Sequence, residues 1–153
     1  MIIDSGERRK FDTGAVRDIQ EGKGRCDLLP LIVASRVLTE GIIYDEVLFL
    51  IDKFQKTNET QYLIEALHSF CKMHYEYPET MLLEVSKHFE EGAKKYGEHN
   101  WEKGLPVSCY IDSAVRHYLK AHRGDNDENH DRAFVWNLMC CIWEVDHHED
   151  SHV

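Results

Sequence analysis

The chain has 153 residues and a net charge of −10, with 42% hydrophobic and 30% charged residues. This balance is typical of one soluble globular domain with a buried core. The net negative charge argues against binding of long nucleic acid, whose phosphates require a basic face on the protein. No stretch approaches the roughly 18–20 apolar residues of a membrane span, and no signal-peptide pattern is present. Five cysteines without a C-x-x-C pair argue against a disulfide framework or a structural zinc site and for a reducing cytoplasm.

The first 30 residues are predicted to be irregular, because glycines and a proline interrupt any periodicity. Arg17, Lys23 and Arg25 stand among these glycines. Guanidinium, ammonium and backbone N–H groups in such a loop can bind phosphate oxygens, although the Walker A motif is absent. An acidic protein with a small basic loop is suited to a small anionic ligand.

Beyond Pro30 the spacing of apolar residues indicates helices. A short helix is predicted at 31–38, and longer ones at 44–56, 60–75, 80–96, 106–122 and 125–145. We therefore predict an all-α, single-domain helical bundle of about five helices with an irregular N-terminal arm and a flexible tail at 146–153.

Two of these helices allow a more detailed prediction. In the 80–96 helix, Leu82, Val85 and Phe89 are spaced to face the core. Asp125, with Glu128 shortly after it, resembles a capping box for the last helix.

The last helix contains the most apolar stretch of the chain, AFVWNLMCCIW at 133–143, interrupted only by Asn137. A helix that is hydrophobic on every face is buried on all sides, so we expect this one at the centre of the bundle. An amide in such a place costs about 1–3 kcal/mol unless it finds hydrogen-bond partners. Asn137 is therefore either a hydrogen-bonded core residue or part of a site, and both interpretations stay open.

Carboxylates on three neighbouring helices suggest a metal site, as in helical bundles that bind divalent ions. Hard oxygen ligands of this kind prefer Mg²⁺ or Mn²⁺. The alternative is ordinary surface charge, and Asp112 in particular can form an i,i+4 ion pair with Arg116. The candidate metal ligands are Glu91, Asp112, Glu128 and Asp131.

Two histidines, His117 and His130, are candidates for proton transfer. His117 followed by His130-Asp131 also resembles the histidine and His-Asp pair that binds metal in HD-type phosphohydrolases. The spacing here is shorter than in that fold, so we rank this reading below the carboxylate site.

A series of sequence blocks follows in order along the chain: Phe11–Asp18, Gly22–Pro30, His88–Gly97, Asn100–Gly104, Asp112–His117, Gly124-Asp125, Asp127-Glu128, His130 and Ala133–Asn137. Together they resemble a phage and prophage family described as dATP/dGTP diphosphohydrolase, N-terminal domain. Residues 34–78 lie mostly outside the blocks and look like a helical insertion relative to the shortest members.

The resemblance implies removal of pyrophosphate from dATP or dGTP with the help of a divalent metal, in the host cytoplasm if the protein is phage-encoded. All-α pyrophosphohydrolases of the MazG kind hold the metal with Glu-x-x-Glu and Glu-x-x-Asp pairs, which this chain lacks in clean form. The alternative is a non-catalytic phage protein that binds and sequesters a nucleotide or a cyclic-nucleotide immune signal.

The same resemblance suggests how a nucleotide is held. Tyr96 and Trp101 flank Asn100, an arrangement suited to stacking on a base and reading its edge, with core packing as the alternative for both aromatic rings. The expected substrate-binding residues are Arg17, Lys23, Arg25, Lys95, Tyr96, Asn100, Trp101, Arg116 and Asn137.

A short turn at Gly124 makes the two flanking helices antiparallel neighbours, so residues 116–117 should lie beside 130–131. We expect a homo-oligomer with dimer contacts through 44–76. We also predict one common pocket with Arg17 or Arg25 at its rim, lined by Glu91, Asp112, His117, Glu128 and His130.

Overall fold

The structure is a computed structural model that describes residues 4–148, most of them in α-helices. The helices are α1 (Leu31–Leu38), α2 (Glu46–Thr57), α3 (Gln61–His74), α4 (Pro78–Tyr96), α5 (Val107–Arg123) and α6 (His130–His147). Two short strands, β1 (Arg8–Lys10) and β2 (Val16–Asp18), and two 3₁₀ turns at Cys26–Leu28 and Asn100–Lys103 complete the described elements. The predicted all-α fold is confirmed.

Helix α6 is central, as its apolar sequence predicts. It packs against α3, α4 and α5, and the side chains of Phe134, Leu138 and Cys141 are fully buried. Apolar as this helix is, no helix within residues 4–148 combines the length and the apolar character needed to cross a membrane. The helix continues through His147, so the first two residues of the predicted tail are helical, and 149–153 lie outside the described residues.

Helix α5 runs antiparallel to α6. The N–H of Leu105, just before α5, donates to Glu144 near the end of α6, and His117 lies beside His130 at the other end of the pair. Gly124 ends α5 with φ of 90°, in the left-handed region that glycine favours. The expected proximity of residues 116–117 and 130–131 is therefore observed.

The predicted capping box of α6 is wrong. The helix begins at His130, and the side chain of Asn129 caps it by accepting the N–H of Arg132 at 2.9 Å. Asp125 is instead paired with Arg123 at the end of α5. The residues between the two helices therefore form an open loop.

Helix α4 is rotated relative to the prediction. It begins at Pro78, whose missing N–H costs nothing in the first turn of a helix. Its buried face is Met81, Val85 and His88, whereas Leu82 is 47% exposed. This rotation brings a histidine into the interior of the protein.

The N-terminal arm is irregular, as predicted, apart from one short hairpin and a 3₁₀ turn. β1 and β2 form an antiparallel hairpin in which Arg9 faces Arg17. The buried side chain of Asn100 holds the hairpin on the helices, because its Nδ2 donates to the carbonyl of Val16 at 2.9 Å and its Oδ1 accepts the N–H of Val16 at 3.0 Å. Thr13 adds a hydrogen bond to the carbonyl of Gly104 at 2.5 Å.

Helices α2 and α3 make up most of the 34–78 segment. Their Phe54 and Phe70 are buried in the same core as α6. Many of the exposed large apolar side chains lie outside 44–76, among them Val37, Ile42, Ile43 and Leu83. Dimerisation through 44–76 stays a prediction.

Replacing Asn100 should loosen the arm. We expect Asn100→Ala to lower the free energy of unfolding by about 1–3 kcal/mol, because both backbone groups of Val16 lose their partner. Chemical denaturation measures this change. The matched control is Asn126→Ala, an exposed loop asparagine. Equal stabilities of the two variants would contradict the anchoring role of Asn100.

Candidate functional site

A cavity of about 610 Å³ lies between the N-terminal arm and helices α4, α5 and α6. Small-molecule sites typically have volumes of about 300–1,000 Å³, so this one is large enough for a ligand. Its wall is formed by the arm, by α4, by α5 with the turn before it, and by α6 with the loop before it. The lining residues that matter below are Arg17, Lys23, His88, Tyr96, Asn100, Asp112, Arg116, His117, Lys120, Glu128, Trp136 and Asn137.

Arg17 lies on this wall in surroundings that fix its guanidinium. Nη2 donates to Oδ1 of Asn137 at 2.7 Å, and the guanidinium carbon lies 5.2 Å from the centre of the Tyr110 ring and 5.6 Å from that of the Trp136 ring. Nη1 is buried and has no hydrogen-bond partner within residues 4–148. A positioned guanidinium with a spare donor is a binding group for carboxylate or phosphate.

The buried amide of Asn137 forms two hydrogen bonds. Its oxygen accepts from Arg17, and its Nδ2 donates to the carbonyl of Ala133 at 2.8 Å. The side chain is only 2% exposed, so these partners remove most of the cost of burying it. The two interpretations left open by the sequence therefore hold together, since Asn137 is a satisfied core residue and part of the cavity wall.

His88 and Trp136 bring two more buried polar atoms to the same wall. Neither His88 Nδ1 nor Trp136 Nε1 has a hydrogen-bond partner among the described residues. Burial lowers the pKa of His88 to about 4, with the positive charges of Arg132 and Arg17 adding to the effect. His88 is therefore neutral at pH 7. Unsatisfied buried donors and acceptors are rare in proteins, and their concentration here marks the cavity as unusual.

Asp112 and Arg116 form an ion pair that is largely buried and not on the surface. Arg116 Nη2 lies 2.6 Å from Asp112 Oδ1, which also accepts the N–H of Cys26 at 2.6 Å. Arg116 donates to the carbonyls of Gly24 at 2.8 Å and Lys23 at 3.3 Å. The pair fastens the glycine-rich loop to α5, and its polar atoms are largely engaged by the protein.

The other basic residues of the arm are also paired. Lys23 borders the cavity, and its Nζ lies 2.6 Å from Asp18 Oδ2. Arg25 forms a two-point contact with Asp27 at 2.7 and 2.8 Å and does not border the cavity. Of the two arginines predicted for the rim, the structure places Arg17 there.

The three residues expected to bind a base share only a small pocket of about 30 Å³, and not all of them border the large cavity. The amide of Asn100 is committed to Val16. Trp101 packs against Phe89 and Trp143, with ring centres 5.8 and 5.1 Å away, and does not border the cavity.

Tyr96, by contrast, borders the cavity, and the guanidinium of Arg8 lies 4.9 Å from the centre of its ring. Lys95 beside it points its Nζ to within 3.6 Å of Asp4 Oδ2 and is not part of the wall. Tyr96 is therefore the aromatic residue of the predicted set that can meet a ligand in the cavity.

The predicted carboxylate set does not come together. Glu91 Oε1 contacts Arg132 Nη2 at 3.2 Å, and Asp131 lies 3.8 Å from His74. Neither residue borders the cavity. Glu91 lies on the side of α4 that faces Arg132. The common pocket predicted from sequence therefore lacks Glu91 and His130, while it includes Asp112, His117 and Glu128.

Instead, His117, Glu128 and His130 form a cluster. One ligand atom from each lies within 4.8 Å of the others. The Nδ1 atoms of the two histidines are 2.9 Å apart, and His130 Nε2 lies 2.7 Å from Asp127 Oδ1. His117 and Glu128 border the cavity, and His130 borders an open groove of about 490 Å³ along 124–131.

The cluster is shielded enough from water to favour uncharged side chains. Burial raises the pKa of the Glu128 carboxyl, an effect that the nearby His130 partly offsets. Burial also lowers the pKa of His117 well below its ordinary value, and the neighbouring His130 adds to this shift. The imidazole of His117 is therefore neutral and able to offer a lone pair.

Two wall residues, His88 and Trp136, were not among the residues predicted for the site. A core face built on Leu82, Val85 and Phe89 does not include His88. Spacings of four and three from Met81 through Val85 would have placed His88 inside. Trp136 carried no signal of its own, since all but one of its neighbours in 133–143 are apolar.

The shifted pKa of His88 predicts how stability depends on pH. Its pKa is about 4 in the folded protein and about 6.5 in the unfolded chain, so the unfolded chain binds the proton more readily between these values. Stability should fall as the pH drops from about 6.5 to 4, by up to about 3 kcal/mol from this residue. Denaturation of wild type and His88→Gln across this range measures the contribution. Parallel stability curves would contradict the assignment.

Comparison with known proteins is consistent with the sequence resemblance. Residues 53–152 match a family described as dATP/dGTP diphosphohydrolase, N-terminal. No curated protein and no solved structure matches the chain. The match begins within α2 and includes the His117 cluster and Asn137, whereas Arg17 and the arm precede it. Because the match covers well over half of the chain, the protein belongs to the dATP/dGTP diphosphohydrolase N-terminal family.

Proposed function

We propose that the protein binds a purine deoxynucleoside triphosphate in the cavity and hydrolyses it to the nucleoside monophosphate and pyrophosphate. Membership of the family supports the reaction and the substrate class. The observation that carries the proposal is Arg17, a guanidinium held on the cavity wall by the buried amide of Asn137, with one nitrogen left unpartnered within residues 4–148.

Arg17 is the proposed phosphate-binding residue. In a partly dehydrated site, a guanidinium offers a phosphate both charge and paired donors. Because Asn137 and two aromatic rings already hold the side chain, little further ordering is needed when a ligand binds. Lys120 of α5 adds a further positive charge to the wall.

The base is assigned to the aromatic side chains of the wall. Tyr96 and Trp136 border the cavity, and Trp101 does not. An aromatic face can stack on a purine, and the unpartnered indole N–H of Trp136 could donate to an acceptor on the nucleotide after a small side-chain movement.

Dependence on a divalent metal is part of the proposal. Such an ion neutralises phosphate charge and can activate a water molecule. The four carboxylates predicted for Mg²⁺ or Mn²⁺ do not fit a shared ion, because Glu91, Asp112 and Asp131 each have a different partner. Glu128, with His117 beside it, is the ligand-type group of the wall that fits best.

The reaction can be tested directly. The protein is incubated with dGTP or dATP and Mg²⁺ or Mn²⁺, and the products are separated by anion-exchange chromatography. We expect monophosphate and pyrophosphate in equal amounts. Tight binding of unchanged nucleotide would contradict hydrolysis and favour the sequestering alternative. Release of intact triphosphate from the nucleoside would also contradict the proposal.

Arg17→Met should weaken nucleotide binding at least tenfold, because a charged phosphate contact contributes about 1.5–3 kcal/mol. Calorimetric titration with a non-hydrolysable dGTP analogue measures the affinity. Arg36→Met is the matched control, since Arg36 is exposed on α1 and does not border the cavity. Equal affinities of the two variants would rule out the assigned role of Arg17.

A further inference from the structure

The turn between α5 and α6 brings together three side chains of the types that ligate transition metals. Gly124 ends α5, Asn129 caps α6, and the antiparallel pairing that results sets His117 opposite His130. Glu128 lies just before the cap, and one ligand atom from each of the three side chains is within 4.8 Å of the others. The cluster therefore follows from how the two helices are joined.

The hydrogen bonds of His130 favour one tautomer of its ring. Its Nε2 lies 2.7 Å from a carboxylate oxygen of Asp127, an acceptor, so Nε2 carries the hydrogen. In the neutral ring the lone pair is then on Nδ1, which faces Nδ1 of His117 at 2.9 Å. A histidine that donates its remote N–H to a carboxylate while its other nitrogen is free is the usual arrangement of a metal-ligating histidine.

The spacing of the two imidazoles suits a shared ion. Two adjacent nitrogens bound to one metal at about 2.0–2.1 Å lie roughly 2.8–3.4 Å apart in octahedral or tetrahedral geometry. The observed 2.9 Å between the Nδ1 atoms lies within this range, but the rings lie end to end, with centres 5.2 Å apart, so both must turn before their lone pairs point at one ion. Binding would replace the hydrogen bond between the histidines, with the proton of His117 moving to its Nε2 or to solvent.

We propose that His117, Glu128 and His130 bind one divalent transition-metal ion, such as Mn²⁺, Co²⁺ or Zn²⁺, in preference to Mg²⁺. Imidazole nitrogen is a good ligand for these ions, whereas Mg²⁺ prefers oxygen ligands throughout. Three protein ligands leave a coordination position for water or a phosphate oxygen, and two of the ligands border the cavity.

A second group, Asp125, Asp127 and His130, also brings ligand atoms within 4.8 Å. Asp125 is held by Arg123, and Asp127 occupies the Nε2 side of His130. We therefore assign Asp127 to orienting His130, as a positioning residue. The site formed by His117, Glu128 and His130 goes beyond the proposed function, because the ion is expected to bind without nucleotide. Only a role of this ion in catalysis rests on the proposed hydrolysis.

The test is Mn²⁺ binding to the full chain without nucleotide, followed by electron paramagnetic resonance. We expect one ion per chain with nitrogen coupling from imidazole, retained in a tenfold excess of Mg²⁺. His117→Gln and Glu128→Gln should each weaken binding at least tenfold, and circular dichroism confirms that the variants are folded. His68→Gln, an exposed histidine on α3, is the matched control and should bind like wild type.

Several results would overturn the metal site. They are equal Mn²⁺ affinity in wild type, His117→Gln and Glu128→Gln, the absence of nitrogen coupling, and displacement by Mg²⁺ at equal concentration. The outcome is independent of the proposed reaction. If the ion binds as expected but dGTP and dATP are not hydrolysed, the proposed function fails and the metal site stands.

Discussion

A guanidinium from the N-terminal arm meets a buried amide in the most apolar helix of the chain, where Arg17 Nη2 lies 2.7 Å from Asn137 Oδ1. Each group satisfies a polar atom of the other that the apolar surroundings would leave without a partner. Without the amide the guanidinium would lose its buried hydrogen-bond acceptor, and without Arg17 the amide oxygen would lack a donor, at a cost of about 1–3 kcal/mol for each unsatisfied group. The contact therefore couples the position of the arm to α6 and places a positive charge on the wall of an otherwise acidic protein.

The cavity exists because the arm is held over the helices at several points. Asn100 pairs with both backbone groups of Val16, Thr13 bonds to the turn before α5, and Arg116 holds the glycine-rich loop through two carbonyls. Some residues predicted to bind substrate thus act by fixing the arm. The side chains left to meet a ligand are those whose hydrogen bonds are incomplete, above all Arg17.

The sequence predicted the features that depend on local pattern. The apolar run around Asn137 identified the central helix, and the turn at Gly124 identified the pairing that brings His117 beside His130. The sequence could not predict the hydrogen bond between Arg17 and Asn137, because the two residues are 120 positions apart and local sequence does not show which distant residues meet. Glu144 shows the same limit, since its local sequence does not reveal that it is fully buried and accepts the N–H of Leu105 before α5. The four predicted carboxylate ligands lie apart, because helical spacing does not reveal which face of α4 turns toward Arg132.

We propose above that the arm and α6 together build a nucleotide site around Arg17. The most direct measurement is a crystal structure of the protein with a non-hydrolysable dGTP analogue. We expect a phosphate oxygen within hydrogen-bond distance of Arg17, with the contact between Arg17 and Asn137 retained. A nucleotide bound in the outer groove along 124–131, with the cavity empty and Arg17 unchanged, would contradict it.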